Sequence, residues 1–116
     1  MNIIITGAFG FVGSNISQSL KLEGGHHLTA IDIALPANSH FDAFYSWNDL
    51  DKIDQKKVDV IIHLAGKAHD ISNTSEAKTY FDINVGLTEK IMDFFFSYNS
   101  LKIYFFQFGE SGGRYG

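Results

Sequence analysis

Ile3-Ile4-Ile5-Thr6-Gly7-Ala8-Phe9-Gly10-Phe11-Val12-Gly13 stands almost at the start of the chain, and its reading decides the fold. Three consecutive isoleucines read as a buried strand. Three glycines follow, and a helix-like stretch then runs to Glu23. A strand that breaks into spaced glycines and re-forms as a helix is the pattern of a dinucleotide-binding turn. The first glycine permits the tight turn. The second lets the backbone approach a pyrophosphate closely, and the third lets the helix pack tightly on the strand. The pyrophosphate then rests on free N–H groups at the positive end of the helix dipole. The competing reading, a plain glycine turn, does not explain the strand before it and the helix after it.

Outward from this stretch, strands and helices alternate. Val12, Ile16 and Leu20 recur at helical spacing, and Gly24-Gly25 ends the helix. A second strand is expected over His27 to Ile33. A loop with the only proline, Pro36, follows, then a short third strand within Phe41 to Trp47 and a short helix capped by Asn48. Val58 to Leu64 is a near-continuous apolar run, as in a strand covered on both faces. Asn73 and Glu76 have capping-box spacing and open a long helix to about Tyr98, and Lys102 to Phe106 is the last strand. The pattern predicts an α/β fold: a Rossmann-like doubly wound parallel sheet of order 3-2-1-4-5, with its crevice between strands one and four.

Length and charge narrow the function. The 116 residues suffice for one domain with a small core. A net charge of −4 argues against nucleic acid or an anionic membrane as the main partner. No run of about 18 apolar residues predicts a membrane span. No basic stretch precedes the first apolar run, so a secretory leader is not expected. The absence of cysteine fits a cytoplasmic location.

Asp32 falls at the end of the second strand, nineteen residues after Gly13. A carboxylate there accepts hydrogen bonds from both ribose hydroxyls of adenosine and repels a 2′-phosphate. The only arginine is Arg114, so NAD is expected rather than NADP. A solvated strand-end aspartate is the bland alternative. His63 reads as a buried, hydrogen-bonded histidine rather than a catalytic base. His63 and His69 lack an evident third ligand, so no metal site is expected. His26-His27 reads as a surface turn. Asn84 is open between an exposed helix position and a buried support at the crevice. Phe94-Phe95-Phe96 with Tyr98 reads as core or contact surface.

Three segments together carry a family resemblance. Thr6 to Gly13 resembles the TGxxGxxG turn of the extended short-chain dehydrogenases/reductases. Asp59-Val60-Ile61-Ile62-His63-Leu64-Ala65-Gly66 resembles their D-V-I-I-H-L-A-[AG] strand. Asn84-Val85-Gly86-Leu87-Thr88 resembles their N-V-x-G-T segment, with glycine and leucine exchanged in order. Order and spacing match over about residues 1 to 106, most closely the NAD-dependent sugar-nucleotide epimerase/dehydratase branch. The resemblance implies hydride transfer to and from a sugar carbon of a nucleotide sugar. It implies that Gly7, Phe9, Gly10, Phe11, Val12 and Gly13 line the pyrophosphate and that Asp32 holds ribose. Leu64, Ala65, Gly66 and Lys67 would line the nicotinamide side.

The resemblance fails after Phe106. The family continues with a catalytic Ser/Thr and a Tyr-x-x-x-Lys pair, in which lysine lowers the pKa of the acid/base tyrosine. No such pair follows the last strand here, so no catalytic residue is assigned. Permitted codons for residues 107–116, read after dropping one base, encode Ser-Ser-Val-Lys-Ala-Val-Ala-Asp-Thr. Residues 1–106 are therefore expected to form an incomplete NAD-binding domain, and 107–116 an aberrant tail, either out of frame or the unrelated end of a shortened or variant chain. Two functions follow as expectations: the cofactor half of a nucleotide-sugar epimerase/dehydratase, inactive alone, or a non-catalytic NAD-binding sensor or partner-dependent subunit. An incomplete sheet edge and uncovered aromatics predict a homo-oligomer.

Overall fold

A computed structural model describes residues 1–33, 40–64, 74–95 and 102–105, with backbone alone for 74–81, 84 and 102–105. Five strands form one sheet: β1 (Asn2–Thr6), β2 (His27–Ile31), β3 (Ala43–Tyr45), β4 (Val60–His63) and β5 (Lys102–Phe105). Their order is β3-β2-β1-β4-β5, and every neighbouring pair is parallel. Parallel neighbours need crossovers over the sheet faces, and two helices supply cover: α1 (Phe11–Glu23) and α2 (Thr74–Phe95). The expected fold class and strand order are both present.

Alternation along β1 sorts its side chains between two cores. Ile3 and Ile5 join Leu28, Ala30 and Leu64 in a cluster packed by Val12, Ile16 and Leu20 of α1. Ile4 joins Ile31 and Ile61 on the opposite face, covered by Ile91 and Phe95 of α2 and by Leu50. Ile5, Leu28, Ile31, Ile61, Ile91 and Phe95 are fully buried. Each such side chain contributes about 2 kcal/mol by leaving water. The aromatic run at 94–96 is thus core where it is described, with Phe95 at its centre and Phe94 packed beside it.

Hydrogen bonds set the sheet register at the end remote from the glycine turn. The Asn2 N–H donates to Asp59 Oδ2 at 2.8 Å, and the Asp59 N–H returns to the Asn2 carbonyl at 2.9 Å. The Asn2 amide donates to the Lys57 carbonyl at 2.8 Å. Ile5 is thereby held opposite Ile62, and Thr6 opposite His63.

Several boundaries differ from expectation. β2 ends at Ile31, because Asp32 turns its carboxylate back onto the backbone of the glycine turn. The short helix is a 3-10 helix over Trp47–Lys52 with Ser46, not Asn48, at its cap position, and a kink at Asp49. Ser46 Oγ donates to Asp49 Oδ2 at 3.0 Å, which draws the first turn tight. A second 3-10 turn, Gln55–Lys57, is capped by Asp54. α2 ends at Phe95. Gly24 and Gly25 both take φ of 82°, as the end of α1 requires. Of the expected surface turn His26-His27, His27 is exposed, while His26 is half-buried, its side chain 15% exposed and paired with Glu23.

Gly13 is the glycine on which the fold itself depends. A Cβ there would lie 2.5 Å from the Ala8 carbonyl oxygen and 2.7 Å from that of Gly7. Both obstacles are backbone, so neither can rotate aside. Gly13→Ala is therefore expected to lower the unfolding free energy by about 2–3 kcal/mol, measured by urea denaturation. An unchanged midpoint would contradict this account of how α1 meets the turn.

Candidate functional site

The candidate site lies where β1 and β4 end, at the mouth of the sheet. β1 stops because Gly7 takes φ of 63°, a left-handed conformation that side chains disfavour. Its N–H donates to the Ile31 carbonyl at 3.0 Å, tying the turn to β2. The Gly10 N–H closes onto the Gly7 carbonyl at 3.2 Å, and α1 starts with Ser14 N–H to Gly10 carbonyl at 2.9 Å. Among the described residues no side chain caps this helix, and its first turn has no acidic residue. Its first N–H groups and positive dipole end are thus left to an anion from outside the helix.

Gly10 differs from Gly13. A Cβ at Gly10 would meet only the Gly7 carbonyl oxygen, at an ordinary 3.5 Å. Gly10 is exposed, and its backbone conformation is extended, one that any residue adopts. The protein's own packing does not require glycine there. Space beside Gly10 suits a ligand that must approach the backbone closely.

Asp32 sits next to this turn and is half-buried. Its Oδ2 accepts the Phe9 N–H at 2.9 Å, and its Oδ1 accepts the Ile33 N–H at 2.7 Å. Each carboxylate oxygen keeps a further lone pair for an outside donor. Phe9 is placed differently from a residue whose ring lines a pyrophosphate. Its N–H serves Asp32, while its ring packs edge-on to Phe41 at 5.5 Å and stacks on Phe44 at 6.0 Å. Phe11, the first residue of α1, is 85% exposed, and Val12 is half-buried against the α1-side core.

On the opposite wall, Leu64 is buried, and its N–H reaches Thr6 Oγ1 at 3.0 Å. Thr6 Oγ1 also meets His63 Nδ1 at 2.7 Å, and His63 Nε2 meets Thr88 Oγ1 of α2 at 3.1 Å. A neutral imidazole has one donor and one acceptor nitrogen, and a hydroxyl can answer either. Burial pushes the His63 pKa down to about 4, so the ring is neutral at neutral pH. The edge of Trp47 faces it at 6.3 Å between ring centroids. His63 is therefore the buried, hydrogen-bonded histidine expected, and it fastens α2 to the ends of β1 and β4. Thr88 had no assigned role in the sequence. Its only signal was its place in the Asn84 to Thr88 segment, one helical turn beyond Asn84.

Ala65, Gly66, Lys67 and His69 lie outside the described residues, as does the side chain of Asn84. The tail over 107–116 does too. Among the described residues, no helix is long and apolar enough to cross a membrane. A shallow cleft of ≈ 470 Å³ between the 47–52 turn and α2 is lined by Trp47, Leu50, Lys90 and Phe94 among others. It contains none of the residues at the glycine turn.

Comparison with known proteins agrees with this geometry. The sequence model of the NAD dependent epimerase/dehydratase family matches residues 3–113, a span that continues past Phe106. The fold resembles a UDP-glucose 4-epimerase from Bifidobacterium longum in complex with NAD+ and UDP, with TM-score 0.75 at 18% identity. That match covers 93% of this chain and 37% of the other. A UDP-glucuronic acid 4-epimerase from Bacillus cereus, in complex with UDP-glucuronic acid and NAD, has TM-score 0.74 at 24% identity, with 93% and 40% covered. A UDP-glucose 4-epimerase from Brucella ovis in complex with NAD has TM-score 0.72 at 19% identity, with 90% and 34% covered. The chain thus spans 34% to 40% of the length of these solved structures.

The His63 environment generates a pH dependence. In the unfolded chain the imidazole titrates near 6.5, and in the folded chain at about 4. Between these values the unfolded state binds more protons, so stability rises with pH. The stabilisation is complete above about 6.5 and is lost as pH falls toward about 4. The unfolding free energy should fall by about 2 kcal/mol from pH 7 to pH 5 in urea titrations. The His63→Gln variant should be less stable but show a flatter slope. A wild-type chain equally stable at both pH values would contradict the burial argument. Asp42, whose carboxyl is held below its ordinary value of 3.8 by bonds from Leu28 and Lys21, titrates below this window.

Proposed function

Because the chain belongs to the NAD dependent epimerase/dehydratase family, we propose that it binds NAD at the mouth of its sheet and serves as the cofactor half of an enzyme acting on nucleotide sugars. One observation carries the reading. An uncapped helix start and a glycine whose bareness the fold does not need occur at the same place. That combination fits a pyrophosphate: anionic, and needing close approach to backbone N–H groups. In this reading Gly7, Phe9, Gly10, Phe11, Val12 and Gly13 line the cradle, with donors to the anion from the first N–H groups of α1, since those of Gly7, Phe9 and Gly10 bond to Ile31, Asp32 and Gly7. Asp32 accepts from the ribose hydroxyls. Leu64, with residues 65–67, borders the nicotinamide. NAD, when bound, supplies the hydride-accepting ring. The chain's own residues orient the cofactor and hold the walls of the crevice apart.

The substrate class rests on the family and on the UDP-sugar epimerases that share the fold. Among residues 1–116 no Tyr-x-x-x-Lys pair follows β5, so these residues alone are proposed to bind cofactor without turning over a nucleotide sugar. Self-association belongs to the same reading. β5 lies at one edge of the sheet, and Ile83 and Val85 of α2 are 47% and 39% exposed. Light scattering at micromolar concentration should report a dimer or larger. A monomer would remove that part of the proposal.

Titration calorimetry with NAD and NADP tests the cofactor assignment. Wild type should bind NAD more tightly than NADP. Gly10→Ala should keep the fold, costing about 1 kcal/mol or less in stability, yet weaken NAD about tenfold or more. Asp32→Asn should remove most of the preference for NAD. Equal binding of both cofactors by wild type, or full NAD affinity in Gly10→Ala, would overturn the assignment.

A further inference from the structure

Phe9 is the one large side chain between the first two glycines of the turn, and it has two separate attachments. Its N–H donates to Asp32 Oδ2 at 2.9 Å. Its ring is held between Phe41, edge-on at 5.5 Å and 89°, and Phe44, stacked at 6.0 Å and 29°. Phe44 belongs to β3 and lies opposite Ala30 of β2. Phe41 directly precedes Asp42, which fixes this segment to β2 from both directions. The Asp42 N–H donates to the Leu28 carbonyl at 2.8 Å, and the Leu28 N–H donates to Asp42 Oδ2 at 2.8 Å. Lys21 of α1 adds an ion pair to Asp42 Oδ1 at 2.6 Å.

The backbone around Phe9 does not by itself fix the direction of that N–H. Gly7 and Gly10 flank it closely, each held through its own N–H to the Ile31 and Gly7 carbonyls, and neither of those bonds bears on the Ala8–Phe9 peptide plane between them. The other bond to Asp32 comes from Ile33, the next residue in the chain, which moves with it. Among the described residues, the Phe9 N–H alone fastens the carboxylate to a different element.

We propose that Phe41 and Phe44 are specificity-positioning residues. By gripping the Phe9 ring they hold the Phe9 N–H against Asp32, and so fix the carboxylate in the one orientation that accepts ribose hydroxyls and turns away a 2′-phosphate. The inference rests on the NAD-binding reading for its functional consequence, but its mechanical half stands on the cofactor-free chain. Selectivity for the cofactor is then set in part from the edge strand β3, by apolar side chains that need never touch the ligand.

Two measurements on the whole chain test this. Amide hydrogen exchange by NMR, without cofactor, compares Phe9 with Gly7, whose N–H bonds to the Ile31 carbonyl. In Phe44→Leu and Phe41→Leu, Phe9 exchange should accelerate about tenfold or more while Gly7 is unchanged. Calorimetry should then show the preference for NAD over NADP falling about fivefold or more in the same variants, with Phe44→Tyr retaining it. Folded variants with unaltered Phe9 exchange, or with looser Phe9 but unaltered preference, would overturn the proposal. If wild type binds neither cofactor, the NAD-binding reading fails, and the exchange arm alone decides the mechanical claim. Should Phe44→Leu not fold, Phe41→Leu carries both arms, since its ring lies outside the β3 ladder.

Discussion

The contact between Gly13 and the carbonyls of Gly7 and Ala8 is the constraint on which the rest of the structure depends. It sets how closely α1 descends onto the end of β1, with no room for a methyl group. That approach places Val12, Ile16 and Leu20 against one face of the sheet and leaves the helix start without a side-chain cap. β1 is central, paired with β2 on one side and β4 on the other, so an error in the α1 approach would propagate to both neighbours. Stability and the proposed binding therefore fall in one turn, but at different glycines. Gly13 serves packing, whereas Gly10 leaves space that packing does not use.

The sheet is built differently at its two ends. At the start of β1 and β4, Asn2 and Asp59 exchange main-chain and side-chain hydrogen bonds in plain view of solvent. At the opposite end, Thr6, His63 and Thr88 form a buried polar chain beneath the candidate site. Buried polar groups are tolerated when each is satisfied, and a satisfied network fixes geometry more narrowly than apolar packing does. The wall of the crevice nearest residue 64 is thus stiffened by hydrogen bonds, while the wall nearest Asp32 is stiffened by aromatic contacts at Phe9.

Much of this was legible in the residues. The isoleucine run, the three glycines and the spacing of Val12, Ile16 and Leu20 specify a strand, a turn and an amphipathic helix by local rules alone. Asp32 was legible because its distance from Gly13 follows from one helix and one strand. The short elements were not. Ser46 displaced Asn48 as the cap because its hydroxyl found Asp49, a choice that composition does not reveal. His26 lies in the turn between α1 and β2 as its sequence suggests, but the partial burial of its side chain is not encoded there. The partnership of His63 with Thr88 and the grip of Phe41 and Phe44 on Phe9 join residues far apart in the chain. No periodicity encodes such pairs, since they arise only once the strand order is set.

The central claim is that the glycine turn, Asp32 and the end of β4 form one preorganised NAD site. The most direct test is a titration of the isotope-labelled whole chain with NAD, followed through backbone amide shifts. The account predicts saturable shifts concentrated at Gly7 to Gly13, Asp32 to Ile33 and His63 to Leu64, with the remote Asn2 and Asp59 pair unmoved. Saturable shifts centred elsewhere, such as the cleft at Trp47 and Phe94, or none at millimolar NAD, would contradict it.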